Sequence, residues 1–167
     1  MAATFKRVGR DRDRVRVRLG QDEVAVLRDL PGQLRAVLTD EADDPVNRRL
    51  FPPAYLEPED AERDAEYRRL MHDELLQAKL ANVEVVAETL ARGSASVRRW
   101  TVDLTEEEAT AWLGVLNDLR LALGVRLDIT EDFDGQVDDD DPRAPAMHLL
   151  SYLGWLEEHL LEALSSA

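Results

Sequence analysis

Near the start of the chain, residues 14–19 alternate arginine with an apolar residue, which places Arg14, Arg16 and Arg18 on one face of a strand. A β-ribbon with adjacent arginines can contact DNA phosphates or an acidic protein surface. The structural alternative is a solvated edge strand whose charge blocks aggregation, or one that pairs with the chain's own acidic loops. The same arm holds four further cations: Lys6, Arg7, Arg10 and Arg12.

The charge of the chain favours a protein over DNA as the partner of this arm. Of 167 residues, 35 are acidic and 21 are basic, which gives a net charge of −14. Residues 1–20 carry +5, so the remaining 147 residues carry −19. Because an acidic body repels phosphate, it excludes a protein that coats nucleic acid and weakens the case for DNA. We therefore predict that the arginine row binds a protein partner.

A second candidate site is a group of polar residues inside the most apolar segment, 111–127. The functional interpretation is a ligand or partner pocket, and the structural one is a buried network that fixes helix packing. Buried charge is costly unless it is paired, so we favour the network and expect Arg120 to meet Asp118 or an acid on another helix. The group comprises Asn117, Asp118, Arg120 and Arg126.

The acidic segment 128–143 does not fit a calcium loop. Counted from Asp132, Gly135 falls at position 4 and Arg143 at position 12, whereas the EF-hand template needs Gly at 6 and Glu at 12. We predict a flexible solvated loop. The three histidines are scattered and lack the HExxH spacing of a zinc site: His72, His148 and His159.

Catalytic signatures are missing from the sequence. The chain has no cysteine, which excludes disulfides, thiolate metal ligands and thiol nucleophiles. It also has no dinucleotide-binding glycine motif, no phosphate-binding loop and no nucleophile elbow. We predict a non-enzymatic protein with no metal and no cofactor. Because no signal-peptide core or membrane-length apolar run occurs, we expect a cytoplasmic protein without a membrane segment.

The elements that must position these residues begin with two strands, 4–8 and 14–19, joined by a turn over 9–13. A helix opens at Asp22, and Pro31 predicts a kink or break near Leu30, so two short helices are an alternative. The prolines Pro45, Pro52 and Pro53 and an acidic cluster predict an irregular connector over 39–60, which Phe51 and Tyr55 attach to the core.

A long helix is predicted from Pro58 to Arg92, with Gly93 as its stop. Its inner stripe contains Tyr67, Leu70, Met71, Leu75, Ala78, Val83, Val86 and Leu90. A strand over 97–104, a helix that starts with a capping box at Thr105 and a last helix over 144–163 follow. Residues 1–167 thus predict a single α+β domain, predominantly helical, with four to five helices and a small three-stranded antiparallel sheet.

Two features predict a homodimer. The helix from Pro58 is longer than most globular helices, and the segment 111–127 is apolar on nearly every side. A helix of the latter kind is either central or covered by a second subunit.

Three segments together resemble an actinobacterial family of unknown function, whose named members are AosR-like oxidative-stress transcriptional regulators. The segments are RLFPPAY at 49–55, WLGVLNDLRLALGVRL at 112–127 and YLGWL at 152–156. The resemblance implies a regulator that acts with a sigma factor through an N-terminal cysteine pair. This chain has no cysteine, so that thiol switch cannot operate here. The family also implies a link to Clp proteolysis, because its members are often encoded beside a Clp adaptor.

We therefore predict a cytoplasmic regulatory protein that works through protein–protein contacts, with a sigma factor or RNA polymerase as partner. One alternative is a regulator that binds DNA directly through the arginine-rich hairpin. Others are a small-molecule-binding domain with its pocket near Arg120 and a Clp-linked factor.

Overall fold

The computed structural model describes residues 3–41, 44–52 and 61–166, with the side chains of 61–64 left aside. Within these ranges the chain is predominantly helical and joins a helical layer to a small antiparallel sheet. Its elements in chain order are β1 (Thr4–Val8), β2 (Arg14–Leu19), α1 (Gln21–Thr39), α2 (Pro45–Leu50), α3 (Ala61–Arg92), β3 (Ser94–Ala95), β4 (Trp100–Thr105), α4 (Glu106–Arg126) and α5 (Ala144–Ser165).

The sheet has four strands in the order β1-β2-β4-β3, one more than predicted. The extra strand, β3, pairs with only two residues of β4, and the backbone N–H of Ser96 donates to the Arg99 carbonyl at 2.7 Å to close the turn between them. Val97 lies at the tip of this turn and is 96% exposed, and the strand predicted over 97–104 begins only at Trp100, three residues later than predicted. The prediction therefore placed the start of the strand at residues 97–99, which belong to a hairpin turn.

The inner face of the sheet forms one side of the core. Val15, Val17 and Leu19 are fully buried, as are Trp100 and Leu104 on the neighbouring strand. Because side chains alternate along a strand, the arginines of β2 take the opposite face. The predicted two-residue period of 14–19 is therefore confirmed by burial.

The α1 helix runs unbroken through Pro31, so the predicted break is wrong. Proline removes one backbone donor and crowds the preceding turn, yet Leu27, Leu30, Pro31 and Leu34 are all buried in the core. The burial of this apolar stripe outweighs one missing hydrogen bond, since most helix stability comes from tertiary contacts.

A short helix lies inside the connector that the sequence predicted to be irregular. Asp44 begins α2 by accepting a hydrogen bond from the backbone N–H of Asn47 at 2.8 Å, and Pro45 occupies the first helical turn. Proline is well suited to that position because its missing donor would have no partner there anyway. The predicted roles of Tyr55 and Pro58 lie outside the described residues.

Only the second half of α3 carries the predicted inner stripe. Val83, Val86 and Leu90 are buried, whereas Tyr67 and Leu70 are 48% and 61% exposed. With 32 residues, α3 is much longer than α1 and α4, against which it packs, so its first half extends beyond them. The predicted stop at Gly93 is confirmed.

Within the described ranges, α4 lies at the centre of the helical layer and contacts the four other helices. Its predicted capping box is present: Thr105 accepts from the backbone N–H of Glu108 at 3.1 Å, and the Glu108 carboxylate accepts from that of Thr105 at 2.9 Å. The Trp112 indole N–H donates to the hydroxyl of buried Thr89 at 2.8 Å. A central position therefore accounts for the apolarity of 111–127 without a second subunit.

The close approach of α3 and β4 at Gly93 gives a stability prediction. A Cβ at Gly93 would lie 2.1 Å from the ring of fully buried Trp100, so we expect Gly93→Ala to lower the free energy of unfolding by about 1–3 kcal/mol. Chemical denaturation measures the change.

The matched control is Gly32→Ala in the interior of α1, where a Cβ meets nothing within 4 Å. Since alanine is the better helix former, this variant should be more stable by about 0.5–1 kcal/mol. Equal effects of the two substitutions would contradict the tight contact at Gly93.

Candidate functional site

The outer face of the sheet carries the predicted arginines. Arg16 lies in register with Lys6 on β1 and with Asp103 on β4. Arg14 and Arg18 flank it along β2 and are exposed, whereas Arg16 is half-buried. These five residues define a surface that we call the basic face.

Arg16 is held by a two-bond ion pair at the centre of the basic face. Its Nε donates to Asp103 Oδ1 at 2.7 Å and its Nη2 to Oδ2 at 2.8 Å. The pKa of Asp103 is lowered chiefly by this hydrogen bonding, against the effect of partial burial, and further by the charges of Arg16, Arg14 and Arg18. Asp103 therefore neutralises the central arginine.

The other cations of the basic face keep their charge available. The side chains of Lys6, Arg14 and Arg18 make no hydrogen bond or ion pair within the described ranges. The alternative that this strand pairs with the acidic segment 128–143 is not supported, because the carboxylate that Arg16 binds belongs to β4. Guanidinium groups of this kind can hold carboxylates or phosphates.

A shallow groove runs along the edge of the basic face beside β3. It has a volume of about 400 Å³ and is lined in part by Arg14, Arg16, Arg92 and Ser94. Arg92 is already engaged, because its guanidinium donates to both Glu108 oxygens at 2.7 and 2.9 Å and to the Asp103 carbonyl at 3.0 Å. Arg14 is therefore the groove cation with no acidic partner among the described residues.

Arg7 belongs to the opposite face of the sheet. It pairs in register with Val15, and its guanidinium donates to the carbonyls of Ala163 at 2.9 Å and Leu164 at 2.7 Å and to Glu106 at 2.7 Å. Its side chain is only 8% exposed. Arg7 thus binds the carbonyl end of α5, where the helix dipole favours a cation, and is structural.

The predicted polar group on α4 does not form one buried network. Asn117 and Arg126 are exposed, because they fall on sides of α4 that no other element covers. Arg120 Nη1 donates to Glu157 on α5 at 2.5 Å, which is an acid on another helix rather than Asp118. A Cβ at Gly154 would lie 3.3 Å from Arg120 Nε, so the guanidinium rests directly on α5.

Asp118 forms a separate ion pair with α3. It is 4% exposed, and the ammonium of Lys79 donates to its Oδ1 at 2.7 Å. Burial raises the pKa of Asp118 above its ordinary value, while Lys79 acts in the opposite direction. Lys79 was not predicted from the sequence, although it falls four residues before Val83 and so on the buried stripe of α3.

The histidines do not assemble a metal site. His72 stacks on Phe51 with ring centroids 4.3 Å apart, and His159 stacks on Trp155 at 4.1 Å. Within the described part of the chain, no three His, Asp or Glu side chains are grouped so that they could hold a metal ion. Nor do the described ranges contain a helix with the length and apolarity needed to cross a membrane.

A second surface that the sequence did not predict lies along the first half of α3. Tyr67, Met71 and Leu75 form an exposed apolar stripe and, with Phe51 and Pro52, border a cavity of about 580 Å³. The inner-stripe prediction had assigned these α3 residues to the core. The available signal was the apolar spacing alone, which does not distinguish a core face from an exposed one.

Nearly the whole chain matches one protein family. Residues 2–164 match the model described as "Domain of unknown function (DUF2017)". The chain belongs to this family. The match spans nearly the whole DUF2017 chain, including the basic face and the helical layer, and the predicted family resemblance is confirmed.

Mycobacterial relatives of the DUF2017 chain carry a functional name. The proteins of Mycobacterium tuberculosis H37Rv and Mycobacterium bovis, both named "Oxidative stress regulator AosR", are 29% identical over 192 residues. That comparison covers 94% of this chain and 85% of each relative. A Mycobacterium leprae relative that also carries the AosR name is 31% identical over 134 residues, 73% of this chain and 59% of its own. No solved structure matches the chain.

The buried ion pair of the DUF2017 chain predicts a pH-dependent stability effect. Lys79→Met should lower the free energy of unfolding by about 3–5 kcal/mol at pH 7, because it leaves a buried carboxylate without its partner. A carboxyl whose pKa is raised by folding contributes stability when protonated and loses it as the pH rises through the folded pKa. The deficit should therefore shrink as the pH falls toward 5.

Denaturant titration of wild type and variant between pH 5 and 7 measures this deficit. The control is Lys79→Met/Asp118→Leu, which removes both charges and should recover most of the stability without pH dependence. A deficit that stays constant across this pH range would show that Asp118 is not the group responsible.

The homodimer stays a prediction, and the exposed stripe on α3 provides a test. We expect light scattering at micromolar concentration to give the mass of a dimer, and Met71→Glu to shift the mass toward the monomer, since burying a new charge is costly. The control is Glu88→Gln, which changes an exposed charge on the second half of the same helix. A monomer mass for the wild type would contradict the prediction.

Proposed function

We propose that this DUF2017 protein is a cytoplasmic, non-enzymatic regulator that docks its basic face onto an acidic surface of the transcription machinery, a sigma factor or RNA polymerase. One observation carries the proposal: Lys6, Arg14 and Arg18 stand on an open sheet face with no partner in the described ranges. The names of the mycobacterial relatives as oxidative stress regulators support the regulatory part.

The charge distribution supports a protein as the occupant. The basic face is a small positive area on a chain of net charge −14, and its central arginine is already neutralised by Asp103. DNA carries a continuous row of phosphates, which would bring negative charge against the rest of this acidic surface. An acidic protein patch of limited size needs to meet only the basic face, and complementary charge would guide its approach.

The trigger for this regulator differs from a thiol switch. The chain contains no cysteine, so neither disulfide formation nor thiolate oxidation within it can change its activity. We infer that docking is either constitutive or controlled by the abundance or state of the partner. The basic face is built on paired strands and needs no rearrangement to present its cations.

The test compares two charge reversals of equal size. Arg14→Glu/Arg18→Glu changes the two arginines of the basic face that have no partner, and it leaves the structural pair of Arg16 and Asp103 intact. Arg28→Glu/Arg126→Glu changes two exposed arginines on α1 and α4 by the same charge. Each tagged protein is used to capture complexes from native lysate, and then to bind purified RNA polymerase and sigma factors.

We expect the wild type and the α1/α4 control to bind RNA polymerase or a sigma factor, and the basic-face variant to bind at least about 10-fold more weakly. The loss should diminish at high salt, because salt screens exposed charges. Equal binding by both variants would overturn the proposal.

The same experiment separates the alternative functions. Recovery of Clp components that depends on Arg14 and Arg18 would move the role to proteolysis. Steeply salt-dependent binding of a DNA duplex by the wild type, lost in the basic-face variant, would indicate direct DNA binding. If neither protein nor DNA binds, a ligand screen with Arg120→Ala as the control tests the small-molecule alternative.

A further inference from the structure

The basic face is divided into separate positive positions by its own acid. Asp103 lies in register with Arg16, midway between Arg14 and Arg18, and its two carboxylate oxygens accept from Nε and Nη2 of the central guanidinium. Its charge interacts with all three arginines, as their combined effect on the Asp103 pKa indicates. A partner carboxylate that approaches the middle of β2 therefore meets an occupied arginine and a negative charge.

The two outer arginines remain open at a fixed separation. Arg14 and Arg18 are four residues apart on one strand and point to the same face, so their Cα atoms are about 13 Å apart. Because β2 is paired with β1 on one side and with β4 on the other, the distance between these Cα atoms is fixed. Along β2 the face thus presents two cations at a set distance with a blocked position between them, and Lys6 lies beside that position on β1.

An extended acidic segment matches this spacing. Carboxylates at positions i and i+4 of an extended chain also lie about 13 Å apart on one face, whereas those at i and i+2 are only about 7 Å apart. On a helix, residues seven and eleven apart point the same way but lie about 10 and 16 Å apart, and those eight apart lie about 12 Å apart but differ by about 80° in direction around the axis. The strand therefore fits best, because it shares the two-residue period of β2.

We propose that Asp103 is a specificity-determining residue that blocks Arg16 and makes the basic face selective for an extended segment with two carboxylates four residues apart. This inference rests on the proposed function, since it concerns the same face and a protein partner. In this role Asp103 competes with the partner's carboxylates for Arg16. The basic face therefore selects a partner by the spacing of its charges as well as by their number.

Two short peptides test the spacing directly. Both are blocked Gly/Ser peptides of equal length with two aspartates, placed at i and i+4 in one and at i and i+2 in the other. Their dissociation constants are measured at low salt from the shifts of the arginine Nε–H signals in NMR titrations of the full chain. Wild type is compared with Asp103→Asn, and with Asp139→Asn as a control that removes an exposed charge from the acidic segment.

We expect the wild type and Asp139→Asn to bind the i,i+4 peptide several-fold more tightly than the i,i+2 peptide. In Asp103→Asn, Arg16 becomes available, so the i,i+2 peptide should gain several-fold in affinity and the preference should disappear. An equal affinity of the wild type for both peptides, an unchanged ratio in Asp103→Asn, or no binding of either peptide would overturn the inference.

The experiments distinguish the absence of a preference for i,i+4 spacing from a failure of the proposed function. If polymerase or sigma-factor binding still depends on Arg14 and Arg18 while the peptide ratio is flat, only the role of Asp103 is wrong. If the basic-face reversal changes neither protein nor peptide binding, the basic face is not a docking surface. A thermal melt confirms that Asp103→Asn is folded, as expected for the loss of one partly exposed ion pair.

Discussion

The complete burial of Val15, Val17 and Leu19 against the helical layer is the constraint on which the core and the candidate site both depend. A strand alternates its side chains with a period of two, so burying this row forces the arginines of β2 outward. A slip of one residue would put three guanidinium groups into the core, at a cost that no partner there repays. The burial of the apolar row therefore also places the arginines on the exposed face.

Charged side chains then hold the sheet and helices in register. Arg7 crosses from the inner face of β1 to the last carbonyls of α5, and Lys79 reaches from α3 to Asp118 in the central helix. Both cations are largely buried and bind groups that would otherwise lack a partner. Removing one member of such a contact leaves the other unpaired in the protein interior, which is costly. Because other helix arrangements would separate the two members, these contacts favour a single arrangement.

The basic face differs in the sign of its charge from the rest of the molecule. A chain of net charge −14 keeps an open sheet surface on which arginine and lysine outnumber a single aspartate. That aspartate does more than reduce the charge, because its fixed position opposite Arg16 gives the surface a pattern. Since the face is made of paired backbone, the Cα positions that carry these charges are fixed, which favours a partner with matching charge spacing.

The sequence correctly predicted features that depend on neighbouring residues: the strand period of 14–19, the capping box of Thr105 and Glu108, and the helix stop at Gly93. It misjudged Pro31, since a buried stripe outweighs a local break, and the first half of α3, since apolar spacing does not show whether another element covers it. The partners of the charged residues depend on the tertiary fold, because Asp103 meets Arg16 across 87 residues of chain and Lys79 meets Asp118 across 39. Such pairs are fixed by how the elements pack, which no local pattern contains.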